Sequence, residues 1–150
     1  LEATVNHGGD RACYSPSEDS IRLPEPGQFS SLAHYWSTNL HEHAHWTGHK
    51  SRLGRDLSNR FGSEAYAVEE LVAEITSAFT CAALGIDGEL SHPEYIHNWL
   101  KVLKGDKYAV FGAAREAQKA AAFILNGGSE VEVEDDETTS ETTVELAQAA

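Results

Sequence analysis

Leu40-His41-Glu42-His43-Ala44-His45-Trp46-Thr47-Gly48-His49 is the stretch that decides how this chain folds. Leu32, Trp36, Leu40 and Ala44 recur every four residues through and ahead of it. That period predicts a helix with a buried stripe from about Ser30 to Thr47, stopped by Gly48. His41 and His45 are four apart on this helix, so both imidazoles project from one face. Two such nitrogens can share a tetrahedral Zn2+ at about 2.0–2.1 Å each. Glu42 is rotated about 100° around the axis from His41, which carries its carboxylate towards a metal-bound water rather than the metal. The apolar stripe and the histidine pair occupy adjacent arcs, which suits a site at the edge of a core.

The spacing is that of an H-E-x-x-H metal motif, with each part chemically required. Zinc lowers the pKa of a bound water towards ~7, and also polarises a scissile carbonyl. The carboxylate takes the water's proton and later hands it to the leaving amine. A catalytic zinc needs a third protein ligand and one open position. The continuation H-x-x-G-x-x-H fails here, because Gly48 fits but its last place is Ser51. His49 follows a helix-ending glycine, so its direction is not predictable. Glu69, Glu70 and Glu74 on the next helix are the other sources. Glu70 and Glu74 share one flank, whereas Glu69 falls on the opposite side of that helix's apolar arc.

The rest of the chain predicts a mostly helical α+β domain. Cys13-Tyr14 and Ile21-Arg22-Leu23 flank Ser15-Pro16-Ser17-Glu18-Asp19-Ser20, which reads as a small N-terminal β-hairpin. A second helix spans about Tyr66 to Leu84, its apolar arc Leu71, Val72, Ile75, Ala78, Phe79 and Ala82, with Gly85 as its stop. A third opens with the capping box Ser91-His92-Pro93-Glu94 and ends at Gly105. A fourth runs from Asp106 to Asn126-Gly127-Gly128. Residues 1–9 read as a disordered lead-in, 10–128 as the domain, and 129–150 as an acidic disordered tail. That tail holds eight of the 24 acidic residues and no Lys or Arg, so the net charge of −13 drops to −5 for the body. A body so mildly acidic is not expected to grip nucleic acid nonspecifically, which takes a basic face. Two cysteines, Cys13 and Cys81, are too few for a disulfide scaffold, and each reads as a buried free thiol suited to a reducing cytoplasm. The chain has no Met, which predicts a fragment of a longer protein. The first fifteen residues lack the apolar core of a secretory leader, and no apolar run is long enough to cross a membrane.

Taken in order, these segments resemble a known family. His41-Glu42-x-x-His45-Trp46-Thr47-Gly48-His49 with Arg52-Leu53 looks like the zincin-like metallopeptidase domain of ArdC-type antirestriction proteins and plasmid primase-associated proteins. Tyr66-Ala67-x-Glu69-Glu70-Leu71-Val72-Ala73-Glu74 is similar to its second block. Tyr95-Ile96-x-x-Trp99-Leu100-x-x-Leu103-Lys104-x-Asp106 is similar to its third, and Ala114-x-x-Ala117-Gln118-Lys119-Ala120 to its fourth. The hairpin Tyr14-x-Pro16-x-x-Asp19-x-Ile21-x-Leu23-Pro24 fits as well. His43 departs from the family, which has Leu there, and is expected to face away from the metal. The resemblance implies a cytoplasmic mobile-element protein that binds Zn2+ and hydrolyses a peptide or protein substrate. It implies contact with DNA only through a single-stranded-DNA-binding domain absent from this chain. Gluzincin-like spacing implies Glu70 as third ligand beside His41 and His45, Glu42 as general base, and Glu74 steadying a ligand histidine. His49 and His34 are candidates to steady a ligand or hydrogen-bond substrate, and Tyr66, Tyr95 and His97, with His49, to steady an oxyanion. Trp46 and Trp99 are expected in the core, and Arg52 is expected to pair with a nearby carboxylate.

Overall fold

A computed structural model describes residues 1–58, 63–87, 96–106 and 108–129. Strands β1 (Thr4–His7), β2 (Cys13–Ser15) and β3 (Ser20–Leu23) form a sheet of order β1-β3-β2. Four helices follow: α1 (Leu32–Thr47), α2 (Glu64–Leu84), α3 (Ile96–Gly105) and α4 (Ala109–Leu125). The fold is mostly helical α+β, as the sequence predicts.

β3 is the central strand and the most apolar. Its alternation sends Ile21 and Leu23 inward, both fully buried, and Arg22 outward. Those two side chains meet Tyr35 and Trp46 of α1 and Phe123 of α4. β2 pairs antiparallel with β3, with Tyr14 opposite Ile21, so the predicted hairpin forms. Residues 1–9 are not merely a loose lead-in: Thr4–His7 pair parallel with the far edge of β3, Val5 opposite Ile21. The sequence hid this strand because only Val5 in it is apolar and the strand is largely exposed, so its order comes from the backbone ladder.

Tyr14, Asp19 and Arg52 lock the sheet to the end of α1. The Tyr14 hydroxyl donates to Asp19 at 2.8 Å, and both Arg52 terminal nitrogens bond the same carboxylate. Arg52 Nε also donates to the Trp46 carbonyl at 2.6 Å, with the guanidinium over the Trp46 ring. The bond from Arg52 outweighs the effect of burial and holds the Asp19 carboxyl down to about 2. A depressed carboxylate stabilises the fold fully above its ordinary pKa, and that contribution is lost as pH falls through about 2. Asp19→Asn is therefore expected to flatten the fall in melting temperature between pH 4 and pH 2. Parallel curves for variant and parent would show that the pair contributes nothing.

Ser31 caps α1, its hydroxyl accepting from His34 N. The predicted stripe is only half buried. Leu40 and Ala44 are inside, but Leu32 and Trp36 are 72% and 46% exposed. Periodicity marks a face of a helix, not how far its neighbours extend along it. Ser63 caps α2, and Gly85 ends it with a φ of +68°, a left-handed turn that favours glycine. The predicted arc of α2 is also corrected: Phe79 is 44% exposed, and Ala78 and Ala82 are exposed. Its buried positions are Ala67, Val72 and Ala73 together with Glu69, Glu70, Glu74, Thr76, Ser77, Thr80 and Cys81. α2 lies between α1 and α4. Ser77 Oγ donates to Ser37 O at 2.8 Å on one side, and Val72 packs on Ala113 and Ala117 on the other.

Buried alanines 113, 117, 120 and 121 give α4 a smooth face against its neighbours. Trp99 of α3 is buried, as is Trp46. The capping box Ser91–Glu94, Tyr95 and the acidic tail lie outside the described residues, as does the side chain of His97. Cys81 is a buried free thiol against Leu40 and Ile124, but Cys13, on an edge strand, is exposed. Among the described residues no helix is long and apolar enough to cross a membrane.

Candidate metal centre

Contacts between α1 and α2 descend on one helix as they ascend on the other: His45 meets Glu69 and Glu70, His41 meets Glu70 and Glu74, and Ser37 meets Ser77. The two helices are thus antiparallel, and this lays the glutamates of α2 along the histidine face of α1. His41 Nε2 and His45 Nε2 are 3.2 Å apart. Glu70 completes a triangle, with Oε2 3.6 Å from His41 Nε2 and Oε1 3.5 Å from His45 Nε2. Ligands about 2.0–2.1 Å from a tetrahedral ion stand about 3.3 Å from one another. The separations, the two to Glu70 ending on different oxygens of one carboxylate, lie near that value, and one donor atom from each residue lies within 4.8 Å of the others, so the residues present fit a divalent cation. Among the described residues, His41, His45 and Glu70 are the group that could hold a metal ion.

The ring nitrogens behind the triangle are also engaged. His45 Nδ1 lies 3.0 Å from Glu69 Oε1. A carboxylate only accepts, so Nδ1 carries a proton, and it is the neutral ring that turns an Nε2 lone pair towards the triangle. His41 Nδ1 faces Glu74 Oε1 at 3.4 Å, longer than a well-made hydrogen bond. A carboxylate behind each histidine is the usual device for orienting a metal-binding imidazole. Glu74, expected from the sequence to steady a ligand histidine, lies on the Nδ1 side of His41. Glu69 stands where the sequence did not look: it backs His45. Its own carboxylate is gripped by Arg55, whose Nε and Nη2 donate at 3.0 Å each. Helix phase alone set Glu69 apart from Glu70, and only the packed neighbour shows that one α2 turn can straddle His45. Nothing in the sequence singled out Arg55.

Electrostatics favour a cation here. Burial would raise the Glu70 carboxyl, but His41 and His45, helped by a hydrogen bond from Tyr66, hold it at about 2. Burial would lower His45, but Glu69 first, then Glu42 and Glu70, raise it to about 9 in the metal-free chain. A proton on His45 there stands in for the positive charge that four buried carboxyl groups demand. Glu42 is 3% exposed on the adjoining arc of α1.

The remaining candidates are elsewhere or otherwise occupied. Tyr66 serves Glu70. His43 turns from the triangle, as expected: its Nδ1 donates to Asn39 O at 2.9 Å, its ring abuts Trp46, and burial pushes its pKa down. His49 folds onto its own turn, its Nδ1 2.8 Å from Ser51 Oγ. His34 pairs with Ser30 Oγ at 2.9 Å, seven residues and so about 10 Å along the axis from His41.

Residues 1–116 match the model of the zincin-like metallopeptidases, MPTase-PolyVal. The chain belongs to that family. Its match begins at residue 1, so it takes in β1. This zincin-like chain is 51% identical over 125 residues to a DNA primase TraC of Escherichia coli, covering 82% of the chain but 12% of the relative. It is 45% identical over 126 residues to the uncharacterized protein y4eC of Sinorhizobium fredii (strain NBRC 101917 / NGR234), over 83% of the chain and 41% of the relative. The Mn(II)-bound crystal structure of the antirestriction ArdC protein from the R388 plasmid superposes with a TM-score of 0.75 at 42% identity, over 85% of this chain and 49% of that one. The metal-free form gives 0.73 at 41% identity, over 84% and 46%. The chain thus spans less than half the length of each of these proteins.

Proposed function

We propose that this chain is the zinc-dependent, gluzincin-like peptidase domain of an antirestriction-type mobile-element protein. The observation that carries the reading is the triangle of His41 Nε2, His45 Nε2 and Glu70, with Glu42 buried beside it. His41, His45 and Glu70 would hold the ion. When bound, it acidifies a water and polarises the scissile carbonyl. Glu42 takes the proton of the attacking water and returns it to the leaving amine. Glu69 and Glu74 keep the two imidazoles oriented and in the tautomer that frees Nε2. The substrate is a peptide or protein. Zinc suits two imidazoles and one carboxylate; the crystal structure of the ArdC relative is Mn(II)-bound, and both metals accept such a donor set.

A second reading has an observation of its own. The relatives' names speak of priming DNA and of antirestriction, not of proteolysis. On that reading the ion only stabilises a module that supports DNA protection, and DNA is met by the part of the longer protein that this chain does not cover.

Metal content tests what both readings share. Protein purified without added metal is expected to carry, or take up on titration, about one divalent ion per chain. Folded protein with no metal and no uptake would overturn the proposal.

A further inference from the structure

Arg55 lies beyond α1, outside the short motifs that singled out the site in the sequence, yet its side chain is only 7% exposed and makes four hydrogen bonds. Nε and Nη2 form a two-pronged clasp on Glu69 at 3.0 Å each. Nη2 also donates to Ala44 O at 2.7 Å, and Nη1 to Thr47 Oγ1 at 3.0 Å. Ala44 O is among the last carbonyls of α1, which lack a backbone partner within the helix, and it also accepts from Thr47 Oγ1 at 2.6 Å. The guanidinium thus ties the end of α1 to the first half of α2, on the carboxylate that accepts from His45 Nδ1.

Gly48 shows how tightly the guanidinium is housed. Its φ of −73° is ordinary, so the backbone does not call for glycine. A Cβ at that position would meet Arg55 Nη2 at 2.9 Å, Leu57 Cδ2 at 3.0 Å and Arg55 Cζ at 3.1 Å. The end of a free arginine would swing aside, but this one is pinned by its four bonds.

We infer that Arg55 is a positioning residue for the metal centre: it locks Glu69, Glu69 fixes the ring and tautomer of His45, and Gly48 keeps clear the space the guanidinium fills. The inference rests on the reading that His41, His45 and Glu70 hold a divalent ion. Lysine keeps the charge at position 55 but cannot clasp both carboxylate oxygens.

The test is a titration of the whole metal-free chain with Co2+ alone, read from its visible absorption bands, on Arg55→Lys, Glu69→Gln, the double variant and Gly48→Ala. Arg55→Lys and Glu69→Gln are each expected to weaken Co2+ binding about 10-fold or more, the loss typical of an orienting partner. The double variant should lose little more than the worse single, because both changes cut one chain of contacts. Gly48→Ala, which keeps every polar group, should weaken binding in the same direction, and it keeps the idea testable if Arg55→Lys fails to fold. Binding by the parent that Glu70→Ala abolishes but Arg55→Lys and Gly48→Ala leave unchanged would overturn the inference and spare the metal site. Fully additive losses in the double variant, or a lower melting temperature with unaltered Co2+ affinity, would overturn it too, leaving Arg55 a mere cap on α1. A parent chain that takes up no Co2+ would sink the inference together with the reading beneath it.

Discussion

Glu70→Ala is expected to strip the metal from a chain that still folds. Two imidazoles alone would leave two open positions on a tetrahedral ion, and no other carboxylate side of the triangle is as well placed to close it. Glu74 Oε1 faces the other nitrogen of His41, and Glu69 is bound to His45 Nδ1 and Arg55. The loss of affinity should exceed the roughly 10–100-fold expected when Glu74, which only backs His41, is replaced. Without metal the variant should melt somewhat lower at neutral pH, because the depressed Glu70 carboxyl shows that His41 and His45 stabilise its charged form in the folded chain. Isothermal titration with Zn2+, beside thermal melting of both metal-free proteins, would check this. Equal metal affinity in parent and variant would remove Glu70 from the ligand set, and a larger loss for Glu74→Ala would move the assignment to Glu74.

Glu42→Gln is expected to keep one metal per chain and an unchanged fold while hydrolysis falls by about 10²–10⁴-fold, the usual worth of a positioned proton-transfer group. Glutamine matches glutamate in size and can still hydrogen-bond, but it cannot accept a proton from water and deliver it onward. Peptide release from a denatured protein mixture, followed by mass spectrometry on zinc-loaded protein, gives the readout, with metal content measured on the same samples. Loss of the metal with the mutation would make Glu42 a ligand. Equal, metal-independent release from parent and variant would favour the noncatalytic module over the enzyme.

Local signals made much of the molecule legible before any packing was known. Gly48 and Gly85 mark helix ends because caps are chemistry between near neighbours in sequence. The β2–β3 hairpin is legible for the same reason, its turn residues lying between two short apolar strands. What failed were inferences about surroundings. The exposed Leu32, Trp36 and Phe79 obeyed helical periodicity, but burial depends on which elements lie across from them. On α2 the usual rule inverts: three glutamates and a serine face α1, because that interface houses ionisable groups rather than an apolar seam. β1 escaped notice because a backbone ladder needs little from its side chains.

The sequence by itself determined that His41 and His45 share a face and that Glu42 stands one residue beyond the first of them, since helical geometry places i and i+4 together whatever surrounds the helix. It could not decide what three glutamates 24 to 29 residues after His45 do, because their distances to the histidines are set across an interface and not along a chain. The antiparallel packing of α1 on α2 brings Glu70 up against both Nε2 atoms, sets Glu74 behind His41, and sets Glu69, clasped by Arg55, behind His45. One turn of α2 lies astride the histidine pair, and contacts of that kind exist only once both helices are in place.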